Sequence, residues 1–135
     1  MEVSDEVWDI VNMRNPTEGF LATADSRGRC NAACIGSLQL SDRSTMTMFI
    51  GDNRTLHNLK ENPRAVFITS RGGDIETVNG CRVYLEVTGI VEEGPVIDRG
   101  RAMMAEAVDG DVARRMKAFV TFDVKEVRPL LETEP

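Results

Sequence analysis

The sequence predicts a mostly β chain with short helices, folded as an antiparallel barrel of six strands. Three observations carry this. Short apolar and β-branched runs recur at hairpin spacing, separated by clusters of Gly, Pro, Asn, Asp and Ser. The helical patterns between them are few and short, whereas a parallel sheet needs a crossover helix after nearly every strand. Neither GxGxxG nor GxxxxGK[ST] occurs, so no Rossmann or P-loop signature competes with a barrel.

Val3, Val7, Ile10 and Val11 repeat at helical spacing. Ser4 is placed to cap this helix, and Asp5 and Glu6 fall in its first turn, where the dipole favours acids. Asn15-Pro16 stops it. Residues 19–24 (GFLATA) read as the first strand, Asp25-Ser26-Arg27-Gly28 as a turn, and residues 30–40 as one long second strand closing a hairpin. Along that strand the even positions Cys30, Ala32, Cys34, Gly36, Leu38 and Leu40 are mostly apolar. The odd positions Asn31, Ala33, Ile35, Ser37 and Gln39 are small and mixed, a face suited to a ligand or a partner rather than to a core. Ser41-Asp42-Arg43 turns the chain into a third strand over residues 45–50 (TMTMFI). Residues 54–61 form a short helix ending before Asn62-Pro63, and residues 64–70 form the fourth strand. A polar connection, 72–80, leads to a long fifth strand, 81–91, with Val83, Leu85, Val87 and Val91 on one face. Residues 97–108 and 112–118 make one helix or two, broken at Asp109-Gly110, and residues 119–127 (FVTFDVKEV) close the chain as the sixth strand.

A length of 135 residues predicts one domain, 1–135, and 41% apolar residues suffice for its core. With aromatics at 5%, aliphatic residues and the seven Met must do the packing. A net charge of −6 argues against nucleic acid and against an anionic membrane as partners. No apolar run approaches the ~20 residues of a membrane helix. The acidic start MEVSDEVW carries no signal-peptide pattern, and the three cysteines are an odd number, so a reducing cytoplasm is the expected location. Cys30 and Cys34 are expected as small buried hydrophobes. The single histidine, His57, is expected on a helix surface, and no His/Cys cluster has the spacing of a metal site.

Residues 51–73 read GDNRTLHNLKENPRAVFITSRGG. Arg54 and Thr55 open a helix, where free N–H groups and the dipole favour an anion and an arginine adds a forked donor. Asn58 falls one turn later on the same side. Gly51, just before, allows a ligand to approach the backbone. Ser70 and Arg71 end the next strand ahead of Gly72-Gly73. An anion site fits this pattern, and so does an ordinary helix cap followed by a turn.

The order GFLATADSRGRCNAACI, a strand, NRTLHNLKENPRAVFI, a long strand, a helical segment and a last strand resembles the FMN-binding split-barrel family, the pyridoxamine 5′-phosphate oxidase-like proteins. The resemblance spans residues 17–128 and is most specific at Arg54-Thr55, Asn58 and Asn62-Pro63-Arg64-Ala65-Val66. It implies a six-stranded split barrel, homodimeric, with FMN at the dimer interface. Arg54 and Thr55 would hold the FMN phosphate, with Asn58 on the same side and Ser70 or Arg71 as a further contact. Ala33, Cys34 and Ile35 would line the isoalloxazine through backbone groups, and Ile50 and Gly51 would flank the ring or the ribityl chain. The implied activity is that of a flavoprotein oxidoreductase or electron carrier with a small-molecule or protein redox partner. Alternatives on the same fold are a non-enzymatic flavin-binding or ligand-sensing module and a deazaflavin or haem protein. The C-terminal Trp and Arg-Leu substrate motif of true pyridoxamine-phosphate oxidases is missing, with only VRPLL at residues 127–131 in its place. No acid–base dyad stands out, and a flavin would not require one.

Overall fold

A computed structural model describes residues 1–135. Eleven elements follow in order: α1 (Asp5–Asn12), β1 (Phe20–Ala24), β2 (Cys30–Ala33), β3 (Gln39–Asp42), β4 (Thr45–Gly51), α2 (Arg54–Glu61), β5 (Arg64–Arg71), β6 (Asn79–Val91), α3 (Pro95–Ala107), α4 (Gly110–Arg115) and β7 (Met116–Pro129). Every strand pairing is antiparallel, in the order β2-β1-β5-β6-β7-β4-β3.

The sheet therefore has seven strands, one more than the sequence suggests. The stretch 30–40 is not one strand. Its first part, β2, is one edge of the sheet, and its last part, β3, is the other. Residues 34–38 cross the gap between the two edges, with the Leu38 amide donating to the Ile35 carbonyl (3.3 Å) in a tight turn. The turn also reverses the predicted faces. In β2 the even residues Cys30 and Ala32 point outwards while Asn31 and Ala33 are half-buried; beyond the turn, even Leu38 and Leu40 are buried. The odd residues of 30–40 thus do not form one continuous face, and Cys30 and Cys34 are exposed rather than buried; only Cys81 behaves as a small core residue.

One apolar core joins the strands. Leu21, Met46, Met48, Phe67, Val83, Val120, Phe122 and Val124 are all essentially buried within it. Helix α1 closes one end. Ser4 caps it by accepting from the Val7 amide (3.2 Å), and Ile10 and Val11 enter the core. Asn12 reaches the outer edge of β3, accepting from the Leu40 amide (2.8 Å) and donating to the Leu40 carbonyl (3.0 Å). Arg14 follows the helix. Its guanidinium lies 4.8 Å over the Phe67 ring and donates to the Val11 (2.8 Å) and Ile35 (3.2 Å) carbonyls, pinning the crossing turn. Burial lowers the Arg14 pKa, and the neighbouring Cys34 and Glu18 oppose that.

Helix α3 docks on the barrel through a glycine. A Cβ at Gly100 would lie 2.4 Å from the Phe49 ring, which packs against Phe119 with centroids 4.9 Å apart. Of thirteen helix residues only Ile97 and Gly100 are buried, so this contact carries much of the docking. Replacing Gly100 by valine is expected to destabilise the protein by about 1–3 kcal/mol through overpacking, despite valine's better helix propensity. Urea denaturation of the two proteins measures it; an unchanged midpoint would mean that Phe49 yields freely.

No helix is long and apolar enough to cross a membrane.

Candidate functional site

Helix α2 organises the site. Asn53 caps it, its Oδ1 accepting from the Leu56 amide (3.0 Å), which leaves the amides of Arg54 and Thr55 at the helix end without intrahelical partners. Leu56 and Leu59 enter the core. Thr55 and Asn58 are buried too, and each ties the helix to a strand: Asn31 Nδ2 donates to Thr55 Oγ1 (3.3 Å), and Asn58 Nδ2 donates to Thr23 Oγ1 (3.1 Å). His57 lies on the exposed side, 2.7 Å from Asp52.

Two hollows flank this helix start. The first, about 290 Å³, is polar and is lined by Asp25, Arg29, Cys30, Arg54, Asn58 and Glu61. Its acids are already engaged. Asp25 accepts from the Arg27 and Arg29 amides (2.9 Å each) and pairs with Arg29 Nε (2.6 Å), and Glu61 accepts from Ser26 Oγ (2.7 Å). Arg54 is exposed and belongs to none of the chain's ion pairs, so it is the uncommitted cation of this hollow.

The Arg29 amide, its guanidinium and the Arg27 amide hold the Asp25 carboxyl below the ordinary carboxylate range, outweighing its desolvation. A lowered pKa gives a contribution that is complete above the ordinary value of about 3.9 and is lost as pH falls through the lowered one. The β1–β2 turn is therefore expected to be indifferent to pH between about 5 and 7 and to loosen only in stronger acid. Amide exchange at Arg27 and Arg29 reports this, and loosening near pH 6 would contradict it.

The second hollow, about 420 Å³, lies at the split of the barrel. The crossing turn supplies Cys34, Ile35, Gly36 and Ser37; the end of β4 supplies Phe49, Ile50 and Gly51; Asn53, Pro16, Met104 of α3 and its C-cap residue Val108 complete it. Ser37 fixes the turn to β4, its Oγ donating to the Phe49 carbonyl (2.8 Å) and accepting from the Phe49 amide (3.0 Å).

The structure thus distributes the predicted residues. Cys34, Ile35, Ile50 and Gly51 line one hollow; Arg54 and Asn58 line the other; Asn53 and Arg54, adjacent in sequence, join them. Ala33 is half-buried at the end of β2, beside Cys34. Thr55 lies under the helix start with its hydroxyl on Asn31. Ser70 and Arg71 are elsewhere. They end β5 beyond the Phe20↔Ile68 pair, whereas Arg54 sits near the other end of β1, about 16 Å away by strand rise. There Arg71 faces Glu18 at 3.9 Å. Gly51 also has an internal reason to be glycine, since a Cβ would lie 3.1 Å from the Arg115 carbonyl oxygen.

The lining residues that the sequence does not assign to the site are Asp25, Arg29, Cys30, Glu61, Pro16, Gly36, Phe49, Asn53, Met104 and Val108. Asn53 could have been found, being a cap-type residue just ahead of the helical pattern. Met104 and Val108 carry no local signal and arrive only through the docking of α3.

No family model matches the sequence, and no curated protein matches it. Solved structures do. An FMN-binding protein from Syntrophomonas wolfei subsp. wolfei superposes with a TM-score of 0.80 at 23% identity, covering 96% of this chain and 87% of that one. A candidate pyridoxamine 5′-phosphate oxidase from Lactobacillus delbrueckii gives 0.68 at 17%, covering 93% of each chain. The haem storage protein HutZ from Vibrio cholerae gives 0.63 at 17%, covering 94% of each. The chain has the split-barrel fold of the FMN-binding and pyridoxamine 5′-phosphate oxidase-like proteins.

Proposed function

We propose that this chain binds FMN across the two hollows and works as an FMN-dependent oxidoreductase or electron carrier. One observation carries the reading: an apolar cavity at the split stands next to an uncommitted arginine at a helix N-terminus, the two joined by Asn53-Arg54. The exposed thiols at the two places, Cys34 and Cys30, are four residues apart, about 13 Å along an extended chain. That span suits a ligand whose ring and anion are separated by a flexible polyol.

The residues fit the group. Arg54 and the free amides of the α2 start meet a phosphate dianion. The backbone of residues 33–35 and the 50–51 segment border the ring, with Phe49 and Met104 as apolar walls that exclude water. FMN, when bound, supplies the one- and two-electron redox chemistry. The chain's part is to bind, orient and shield. FMN rather than FAD follows from the single anion site and the lack of a dinucleotide motif. Chromatography of the supernatant from denatured protein should show FMN; chiefly FAD, or haem, would overturn the assignment. The fold also hosts a haem protein, but the only imidazole here, His57, is exposed, paired with Asp52 and outside the lining of both hollows.

The reading includes a homodimer. On the outer face of β2-β1-β5-β6, Ala32, Ala22, Val66 and Tyr84 stand in register across the strands, and a hollow of about 620 Å³ lies over this face. Arg64 opposite Glu86 and Lys125 near Asp123 rim it with both signs of charge, which suits a self-complementary two-fold contact. Light scattering should give twice the 15.0 kDa of one chain. Val66→Glu, which places a charge amid the apolar row, should give the single-chain mass; a native protein that is monomeric with flavin bound would contradict the dimer.

A further inference from the structure

Behind the wall of the cavity at the split stands a second arginine. Arg14 donates from its two terminal nitrogens to the Val11 (2.8 Å) and Ile35 (3.2 Å) carbonyls, and its guanidinium lies 4.8 Å over the Phe67 ring. Its Nε is buried without a hydrogen-bond partner. No carboxylate pairs with it. Glu18, the acid that acts on it through space, accepts from the Asn15 amide (3.0 Å) and lies 3.9 Å from Arg71. A neutral amide is enough to hold main-chain groups in this fold, as Asn12 holds both groups of Leu40. A charge costs more to bury, and two carbonyls and a ring face repay it only in part. Pinning the turn therefore accounts for a donor at position 14 and leaves the charge unexplained.

The charge reaches the cavity through one peptide unit. The Ile35 carbonyl that accepts from Arg14 and the Gly36 amide belong to the same peptide, and both residues line the cavity. A cation at the oxygen end polarises the unit and strengthens its N–H as a donor. That amide makes no backbone hydrogen bond. None of the eleven lining residues is charged, so nothing in the lining masks the field. We propose that Arg14 is the counter-charge of the reduced flavin: it favours the negative charge that two electrons and one proton leave on the ring, and so raises the potential of the bound cofactor. Charge near the reactive ring nitrogens is a general lever on flavin chemistry. In the FMN reading, on which this rests, the ring fills the cavity and the phosphate neutralises Arg54, which then has no charge to spare for the ring. Arg14 touches no ligand atom; it acts through its field and through the Ile35–Gly36 peptide.

The test measures the midpoint potential of bound FMN at neutral pH, by slow reduction with xanthine and xanthine oxidase against a dye of known potential. Urea denaturation and flavin absorbance are read on every sample. Arg14→Gln keeps a donor and loses the charge. It should lower the potential by about 30 mV or more, which is about a tenfold or larger loss of preference for reduced over oxidised flavin. Arg14→Lys keeps the charge and loses the forked donor. It should retain most of the native potential even where its stability falls as far as that of the Gln variant. A native potential in Arg14→Gln overturns the inference. So does an equal fall in both variants, which would make the geometry of the turn the cause. Should the variants not fold, the native protein decides: its FMN should be no harder to reduce than free FMN under the same conditions, and a lower potential overturns the inference. Flavin bound without these effects sinks this inference alone, whereas a chain that takes up no flavin sinks the cofactor assignment as well.

Discussion

Phe67→Ala is expected to cost about 3–5 kcal/mol of folding stability, the range for emptying a buried phenylalanine site. Phe67 is fully buried on β5, between Leu21 of β1 and Val83 of β6. It does more than fill volume. A Cβ at Gly19 would come within 2.8 Å of its ring, so the entry to β1 is shaped around it. Its face also carries the Arg14 guanidinium, which pins the crossing turn through the Ile35 carbonyl. Against a typical total of about 5–15 kcal/mol, such a loss leaves little reserve. Urea denaturation gives the value. A cost under about 1 kcal/mol would mean that the site collapses without penalty and that Phe67 is not central. A double-mutant cycle with Arg14→Met would isolate the share due to the cation over the ring, about 0.5–2 kcal/mol.

Arg54→Ala is expected to weaken FMN binding by about one to two orders of magnitude and to leave riboflavin binding nearly unchanged. A charge-assisted bond contributes roughly 1.5–3 kcal/mol, and Arg54 brings its charge to the point where the α2 amides converge. Riboflavin has the ring and the polyol but no phosphate. The substitution should not disturb folding, since Arg54 is exposed and outside the ion-pair network, whereas its neighbours Thr55 and Asn58 are buried and tie α2 to β2 and β1. Flavin fluorescence quenching on both proteins measures both ligands. Equal weakening of the two would make Arg54 a support of the fold, and no change in either would make it a solvated surface charge.

Much of the frame was legible because its signals are local. Ser4 before an apolar helical repeat, the DSRG turn and Asn62-Pro63 after α2 each act on the few residues beside them, and α1, the start of β2 and the end of α2 stand where those residues put them. The stretch 30–40 was misread because alternation alone cannot report which neighbour a strand finds. Its two halves pair with different strands, β2 with β1 and β3 with β4, and the change of face is written only in the spacing from Ile35 to Leu38 across Gly36-Ser37. A similar shift breaks the single face expected for β6, where a bulge between Val87 and Gly89 leaves Val91 exposed. The helix start with Arg54 could be found from sequence, whereas the α3 wall could not. Contacts between residues distant in sequence, such as Gly51 with Arg115 and Gly100 with Phe49, leave no periodic trace.

The amide of Asn12 has a consequence for how these molecules behave in a crowded solution. An open sheet has two bare margins, and each is a template on which another chain can add a strand, then another, towards a fibre. At the β3 margin both main-chain groups of Leu40 are already answered by one side chain, donor to acceptor and acceptor to donor. Polymerisation by strand addition requires both margins to be receptive. With this one blunted at Leu40 by a single asparagine, a strand arriving from another molecule's β2 finds no free Leu40 amide or carbonyl to pair with, and growth of a fibre through this margin is opposed.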